Sequence, residues 1–294
     1  MNTRDKALAA LVATVWGLNF VVSSVMLREL PPFLFTAIRF LLVAFPAIFF
    51  VKRPTSGWRN VVAVGVFIGL FQFGLMFWAM HLGVNAGLAS LLIQLVTIFT
   101  LLLAVFVLKE TPSRVQVIGV ALGLAGLTVI AVGRDASTPI WPILMVLAAA
   151  LGWAAGNIVM RRSGEKSGIS LSIWSALVPP IPMLFASLLV DGPHKIGIAL
   201  GVLDWRYALG FFFSSIIATL VGFGIWANLL SRNSASTVAP WSLVTPPVGM
   251  LGGWIFLGQR PTIIEWLGAA VILTGVLFAG AGRVRAVPVA SPPG

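Results

Sequence analysis

Ten apolar segments of about 20 residues each follow one another along the chain, separated by short stretches of proline, glycine and charge. The hydrocarbon core of a bilayer is about 30 Å thick, and one helix of such a length crosses it. Only 9% of the residues are charged, against about 25% in a soluble domain. The pattern therefore predicts an all-α integral membrane protein with ten transmembrane helices. The predicted spans are residues 6–26, 32–51, 58–80, 84–108, 112–133, 139–161, 169–190, 205–229, 235–258 and 262–281.

Several other classes of protein and site are disfavoured by composition. The chain has no cysteine and only two histidines, His81 and His194, so neither a disulfide, a metal site nor a cofactor is expected. The first apolar segment lacks a small-residue cleavage site, so it is not a cleaved signal. The net charge is +11, but the basic residues lie between spans. The chain lacks the basic stripe interleaved with aromatic residues that is typical of nucleic-acid binding. Membrane lipid is the expected partner of the outer surface.

The distribution of basic residues predicts an orientation. If the N-terminus is cytoplasmic, 13 of the 19 Lys and Arg fall on the cytoplasmic side. They are Arg4, Lys6, Lys52, Arg53, Arg59, Lys109, Arg114, Arg161, Arg162, Lys166, Arg232, Arg283 and Arg285. Because short loops rich in Lys and Arg stay inside, both termini are predicted to be cytoplasmic.

The sequence also repeats itself. A shift of 148 residues places Gly74, Trp78 and Asn85 on Gly222, Trp226 and Asn233, and a shift of 149 places Pro112, Gly119 and Gly126 on Pro261, Gly268 and Gly275. We predict two five-helix repeats, residues 1–135 and 136–285, followed by a disordered tail, residues 286–294. Since five is odd, the second repeat must be inverted. Inverted repeats can rock about a site near the bilayer midplane, which is typical of transporters.

Four motifs carry a family resemblance. They are Trp16-Gly17-Leu18-Asn19-Phe20, Ala37-Ile38-Arg39-Phe40, Leu108-Lys109-Glu110-Thr111-Pro112 and its second copy Leu257-Gly258-Gln259-Arg260-Pro261. Together they resemble the drug/metabolite transporter superfamily, in its ten-helix EamA-type branch. The resemblance implies export of small metabolites across a bacterial inner membrane, and is greatest to exporters of aromatic and other neutral amino acids.

The chain departs from that family pattern at two places. Gln259 stands where family members usually have Glu, which implies that this carboxylate does no essential chemistry here. Thr97-Ile98 stands where a proline is often found, which implies that the two halves hinge differently.

The eight acidic residues all lie in predicted loops or within a turn of a span end. Carriers coupled to protons or sodium usually place Asp or Glu at mid-membrane. The sequence therefore favours a carrier driven by the gradient of its own substrate.

Polar residues within the spans recur at helical spacing. A buried amide is unfavourable unless it is hydrogen-bonded, so these side chains should face the helix bundle. They either line a substrate cavity or hold helices together. The candidate substrate-binding residues are Asn19, Gln72, Met76, His81, Gln94, Thr97, Trp153, Asn157, Trp241, Ser242 and Thr245.

Arg39 and His81 each have two interpretations. Arg39 lies about 10 Å into the second span, where it is either a structural anchor or a contact for a substrate carboxylate. His81 ends the third span, either as a hydrogen-bonded polar residue or as a protonatable group at a cavity mouth.

Tryptophans and prolines complete the set of candidates. Trp58, Trp141, Trp205 and Trp266 lie near span ends, as in aromatic belts, whereas Trp153, Trp226 and Trp241 are deep enough to stack on a ligand. Candidate hinges are Pro46, Pro182, Pro240 and Pro246, since proline interrupts helical hydrogen bonds.

The sequence thus favours a monomeric secondary exporter of small metabolites, with no enzymatic activity. A proton-coupled exporter is the alternative within the same class. A channel would usually show rings of charged or carbonyl groups, and an intramembrane enzyme would need a nucleophile and base at depth. Neither pattern is present.

Overall fold

The computed structural model describes residues 1–133, 140–165, 167–233 and 238–281, in which the regular elements are helices. Helices α1 to α5 are Thr3–Met26, Pro32–Ala47, Trp58–His81, Ala86–Leu108 and Arg114–Gly133. Helices α6 and α7 are Ile140–Arg162 and Gly168–Val190; α8 runs through Trp205–Phe212, Phe213–Val221 and Gly222–Arg232. Helix α9 runs through Ala239–Val244 and Thr245–Leu257, and α10 is Ile263–Ala281. The predicted repeat boundary at residue 135 and the predicted tail lie outside the described residues.

Each predicted span corresponds to one helix, so the all-helical membrane architecture is confirmed. In the described part of the chain, seven helices are long and apolar enough to cross a membrane, and α2 and parts of α5 and α9 are shorter apolar helices. Two local predictions were inaccurate. Helix α2 ends at Ala47, one residue after Pro46, whereas the predicted span continued to residue 51. An unpredicted short helix, Gly192–Gly201, follows α7. Gly192 has φ +77°, and Pro193 lies in the first turn, where proline is favoured.

Ionic and polar contacts between helix ends define the two faces of the bundle. At the face where α1 begins, here the N-terminal face, Asp5 lies 3.4 Å from Arg232 at the end of α8, and Glu110 after α4 pairs with Arg161 in α6. At the opposite, far face, the Gln259 Oε1 accepts the backbone N–H of Ala86 at 3.1 Å. These pairs fix which helix ends lie together.

Helix irregularities repeat between the two halves. The π-helical segments Gly65–Gly74 in α3 and Phe213–Val221 in α8 begin 148 positions apart. The 3₁₀ segment Ile93–Leu95 of α4 corresponds, at the same spacing, to part of Ala239–Val244 in α9. Deviations from ideal helix geometry have specific local causes. Their recurrence supports two copies of one five-helix unit.

The contact between α5 and α10 shows that the copies are inverted. A Cβ at Gly119 would lie 2.6 Å from the Gly275 oxygen, and a Cβ at Gly126 would lie 3.0 Å from that of Gly268. Exchanging the halves converts one contact into the other, because Gly119 corresponds to Gly268 and Gly126 to Gly275. An early residue of α5 meets a late residue of α10, so the helices are antiparallel. The two-fold axis that relates them therefore lies in the membrane plane.

The main apolar core includes the half of the bundle toward the far face. Leu30, Phe35 and Phe77 are each 0% exposed and pack where α1, α2 and α3 meet. Ile196 and Ala199 of the short helix join the same core. Trp58, Trp141 and Trp205 are exposed at helix ends, where an aromatic belt would lie.

Candidate functional site

Four hydrogen bonds within the spans join a polar side chain of one helix to a neighbouring helix. The Trp16 Nε1 donates to the Ala218 carbonyl at 2.9 Å and joins α1 to α8. The Thr245 Oγ1 donates to the Ala13 carbonyl at 3.3 Å and joins α9 to α1.

The other two hydrogen bonds link α9 to α4 and α4 to α6. The Gln94 Nε2 donates to the Ser242 carbonyl at 3.3 Å, and the Asn157 Nδ2 donates to the Thr100 Oγ1 at 3.2 Å. The bonds thus connect α8, α1, α9, α4 and α6 in that order. Each one joins a helix of the first repeat to a helix of the second, which is where an inverted-repeat transporter has its site.

Several of the predicted binding residues remain partly exposed. Thr97, Trp153, Asn157, Trp241 and Ser242 are all neither fully buried nor fully exposed. By contrast, Gln94 and Thr245 are 9% and 5% exposed and bind backbone carbonyls. The second pair has the contacts of residues that hold helices together, whereas the first set retains exposed surface.

Aromatic side chains of α8 pack against Trp16 of α1. The Trp16 ring centroid lies 5.0 Å from that of Phe223 and 5.1 Å from that of Trp226, both in α8. Trp226 and Trp241 pack against the same small apolar cluster at the N-terminal face. Asn19, one turn along α1 from Trp16, is partly buried, and its Oδ1 is enclosed without a partner among the described residues.

Gln72 and Met76 lie on α3. Gln72 is 3% exposed, its Oε1 has no partner in the described chain, and Gly152 of α6 packs against its backbone. Met76 is 3% exposed and belongs to the main apolar core.

His81 ends α3 at the far face. Its Nδ1 lies 3.0 Å from the Leu27 carbonyl oxygen in the turn after α1. It lines a cavity that also contains Arg28, Asn85 and Gln259. Both predicted interpretations of His81 therefore remain, and His81 is not among the residues in the four hydrogen bonds between the repeats.

Arg39 is 4% exposed and contacts residues of α8 and α3. Its Nη2 donates to the Thr219 Oγ1 of α8 at 3.0 Å, and its guanidinium carbon lies 4.4 Å from the Phe73 ring centroid and 5.4 Å from that of Phe77. The Thr219 hydroxyl in turn donates to the Ser214 carbonyl at 2.8 Å, within the π-helical segment. Thr219 and Thr100 were not among the residues predicted from the sequence. Three hydroxyls in the apolar stretch 214–219 were the available signal.

The predicted hinge prolines occupy different parts of their helices. Pro46 is the penultimate residue of α2, and Pro182 is in the first turn after the break in α7 at residues 176–179. Pro246 is the second residue of the α-helical part of α9, which directly follows its 3₁₀ segment. Pro240 lies in that segment, but its side chain is outside the described residues.

The acidic residues other than Asp135, which lies outside the described ranges, are at helix ends or in the connections between helices. They are Asp5, Glu29, Glu110, Glu165, Asp191, Asp204 and Glu265. The Glu165 carboxylate accepts the Ser56 backbone N–H at 2.9 Å, which holds the pKa of Glu165 below its usual value. Within the described chain, no group of three or more metal-ligating side chains is present.

A sequence profile of the EamA-like transporter family matches the chain twice, at residues 6–132 and 140–281. The chain belongs to the EamA-like transporter family. It is a multi-pass membrane protein of a fold with ten helices in two repeats. A protein of Escherichia coli strain K12 named "Probable amino-acid metabolite efflux pump" is 40% identical over 282 residues, covering 94% of each chain.

Other relatives extend the comparison. A protein of the same name from Salmonella typhimurium is also 40% identical, covering 97% of this chain and 98% of the relative. The Bacillus subtilis "Uncharacterized transporter YoaV" is 24% identical. A solved structure titled "Crystal structure of protein" matches with a TM-score of 0.63 at 17% identity, covering 95% of this chain and 96% of that one, which supports the fold alone.

Proposed function

We propose that the protein is not an enzyme but an exporter of small metabolites, chiefly aromatic and other neutral amino acids, working by alternating access without obligatory ion coupling. The observation that carries the proposal is the set of uncharged side chains bonded across the repeat interface. Two relatives are named as amino-acid metabolite efflux pumps, which supports the substrate class.

The neutral character of these side chains supports a neutral substrate. An apolar site with a few placed amides, hydroxyls and indoles suits an amino acid whose side chain is apolar or aromatic. Trp153, Asn157, Thr97, Trp241 and Ser242 are the proposed contacts, because they retain exposed surface.

The proposed transport cycle is based on a difference in packing between the far face and the N-terminal face. In this proposal, the packed core around Phe35 and Phe77 closes the half toward the far face. The side chains with surface available to a ligand include Trp241 and Ser242, near the start of α9 at the N-terminal face. Rocking of one repeat against the other would then open the far face.

We further propose that the protein lies in the bacterial inner membrane as a monomer, with both termini cytoplasmic and repeats at residues 1–135 and 136–285. The N-terminal face is then the cytoplasmic one. The cell accumulates the metabolite and dilution outside supplies the driving force.

Counterflow in liposomes tests the proposal. The purified chain should exchange a panel of labelled neutral amino acids and bring them to equal concentration on both sides without an imposed pH, sodium or voltage difference. Empty liposomes are the control. Uphill accumulation driven by an imposed proton gradient would instead support the proton-coupled alternative, with His81 as the group to mutate. Exchange of none of the panel would overturn the proposed substrate class.

A further inference from the structure

A cavity of about 270 Å³ opens at the far face between the ends of α1 and α3, the start of α4 and the end of α9. Its polar lining consists of Ser24, Arg28, His81, Asn85 and Gln259. Its apolar lining includes Leu27, Met80 and Val84, which are 4%, 7% and 3% exposed and belong to the main core. None of the residues in the four hydrogen bonds between the repeats lines this cavity. The volume approaches the range of about 300–1,000 Å³ that holds small ligands.

The charges of the lining are unbalanced. Arg28 forms no ion pair within the described residues, and no carboxylate lines this cavity. Glu265 lines a smaller adjoining cavity that shares Gln259, where its Oε2 accepts the Thr262 backbone N–H at 2.7 Å. A guanidinium without a carboxylate partner attracts an anion, and its planar fork matches the two oxygens of a carboxylate.

The two carboxamides of the lining each accept a backbone hydrogen bond through the side-chain oxygen. The Gln259 Oε1 accepts the Ala86 N–H at 3.1 Å, and the Asn85 Oδ1 accepts the Leu88 N–H at 2.7 Å. Both side-chain oxygens are therefore used at the start of α4. The remaining NH₂ groups can only donate.

His81 links the lining to the closed face. A carbonyl oxygen can only accept, so the Nδ1 that lies 3.0 Å from the Leu27 oxygen carries the hydrogen. This bond joins the end of α3 to the turn after α1. An occupant of the cavity would therefore contact helix ends that must separate before the far face can open.

We propose that this cavity is a binding site for the carboxylate group of small anionic or zwitterionic metabolites. Arg28 pairs with the carboxylate, and the NH₂ groups of Asn85 and Gln259 donate to it. Because the occupant contacts α1, α3, α4 and the end of α9 together, its binding stabilises the state in which the far face is closed.

Benzoate and benzamide are suitable probes, because they differ mainly in the charge of one group. The purified full-length chain is melted at increasing concentrations of each compound. We expect benzoate to raise the Tm in a saturable manner and benzamide to leave it unchanged. Arg28→Gln and Gln259→Glu should each weaken the apparent affinity for benzoate at least tenfold. Gln259→Glu keeps the side-chain length and an oxygen to accept the Ala86 N–H, so the variant should fold.

Arg206→Gln is the matched control. Arg206 is exposed at the start of α8 on the same face and is not part of the lining. Affinity equal to that of the unmodified chain in Arg28→Gln would overturn the site. Binding of benzamide as tight as that of benzoate would also overturn it. A loss of benzoate affinity in Arg206→Gln as large as in Arg28→Gln would indicate a general surface-charge effect and would overturn it too. The measurement involves no transport, so its outcome is separate from that of the liposome experiment.

Discussion

Arg39 of the first repeat donates to Thr219 of the second, and this contact favours the anchoring interpretation of the residue. Thr219→Val leaves a buried guanidinium without that hydrogen bond, so we expect it to lower the free energy of unfolding by about 2 kcal/mol. Adding Arg39→Leu should recover much of the loss, because the double variant no longer buries the charge. Thermal unfolding of the single and double variants in detergent measures both effects.

Contact with a substrate carboxylate, the other interpretation of Arg39, predicts a different combination of stability and transport. If Arg39→Leu keeps its unfolding temperature but loses amino-acid counterflow, the guanidinium contacts substrate and the anchoring interpretation is wrong.

Asn157 and Thr100 form the bond between α6 and α4. Asn157→Ala and Thr100→Ala should each slow counterflow about tenfold or more, because each removes a polar group at the proposed site; a hydrogen bond of about 1.4 kcal/mol corresponds to a factor of ten. If the bond carries the effect, the double variant should be little slower than either single variant.

Thr274→Ala is the control for these two variants, since Thr274 is exposed on α10 and its hydroxyl bonds the carbonyl of Ala270 in its own helix. Normal counterflow in Asn157→Ala with an intact folded yield would show that the bond only holds helices together.

The sequence indicated Asn157 and Gln94 as candidate site residues, but it did not indicate which residues form hydrogen bonds with the candidates. Asn157 and Gln94 are conspicuous because an amide is rare and unfavourable in an apolar span. Thr100 and Thr219 are not, because threonine can bond to its own helix and is common in such spans. The pairing also depends on how the two repeats dock, and the periodicity of one helix contains no information on docking.

At the scale of helices, α5 and α10 contact each other through glycine. A Cβ at Gly275 would lie 2.5 Å from the Gly123 backbone nitrogen, whereas a Cβ at Gly280 of the same helix meets nothing within 4 Å. Gly275→Ala should therefore destabilise the protein by about 1–3 kcal/mol through overpacking. Gly280→Ala should stabilise it by up to about 1 kcal/mol through helix propensity. The unfolding temperatures of the two variants provide the comparison, and equal shifts would contradict the close contact.

Ten helices and their repetition could be inferred from the sequence, because apolar length and the positions of glycine and proline determine both. The π-helical segments could not. Gly65–Gly74 and Phe213–Val221 are as apolar as their surroundings, and their wider turns depend on packing against neighbouring helices. The short helix after α7 was missed for a different reason, since Gly192-Pro193 is equally typical of a loop and of a helix start.

For the whole molecule, the absence of cysteine makes the orientation directly measurable. Pro112 is exposed between α4 and α5 at the N-terminal face, and His194 is exposed in the short helix at the opposite face, so each can be replaced by a single cysteine. In intact cells an impermeant maleimide should label His194→Cys, and should label Pro112→Cys only after permeabilisation. The reverse pattern would contradict the cytoplasmic placement of the termini.

The reciprocal glycine contact of α5 and α10 has a consequence for how the gene could be divided. A polypeptide ending after Gly133 and a second one beginning at Ile140 would retain between them both glycine pairs and all four bonds across the interface. Antiparallel helices about an in-plane axis require the two fragments to insert in opposite directions. Copies of the first fragment that all insert one way therefore cannot replace the second. Co-expression should regenerate a complementing pair, and neither fragment should assemble alone.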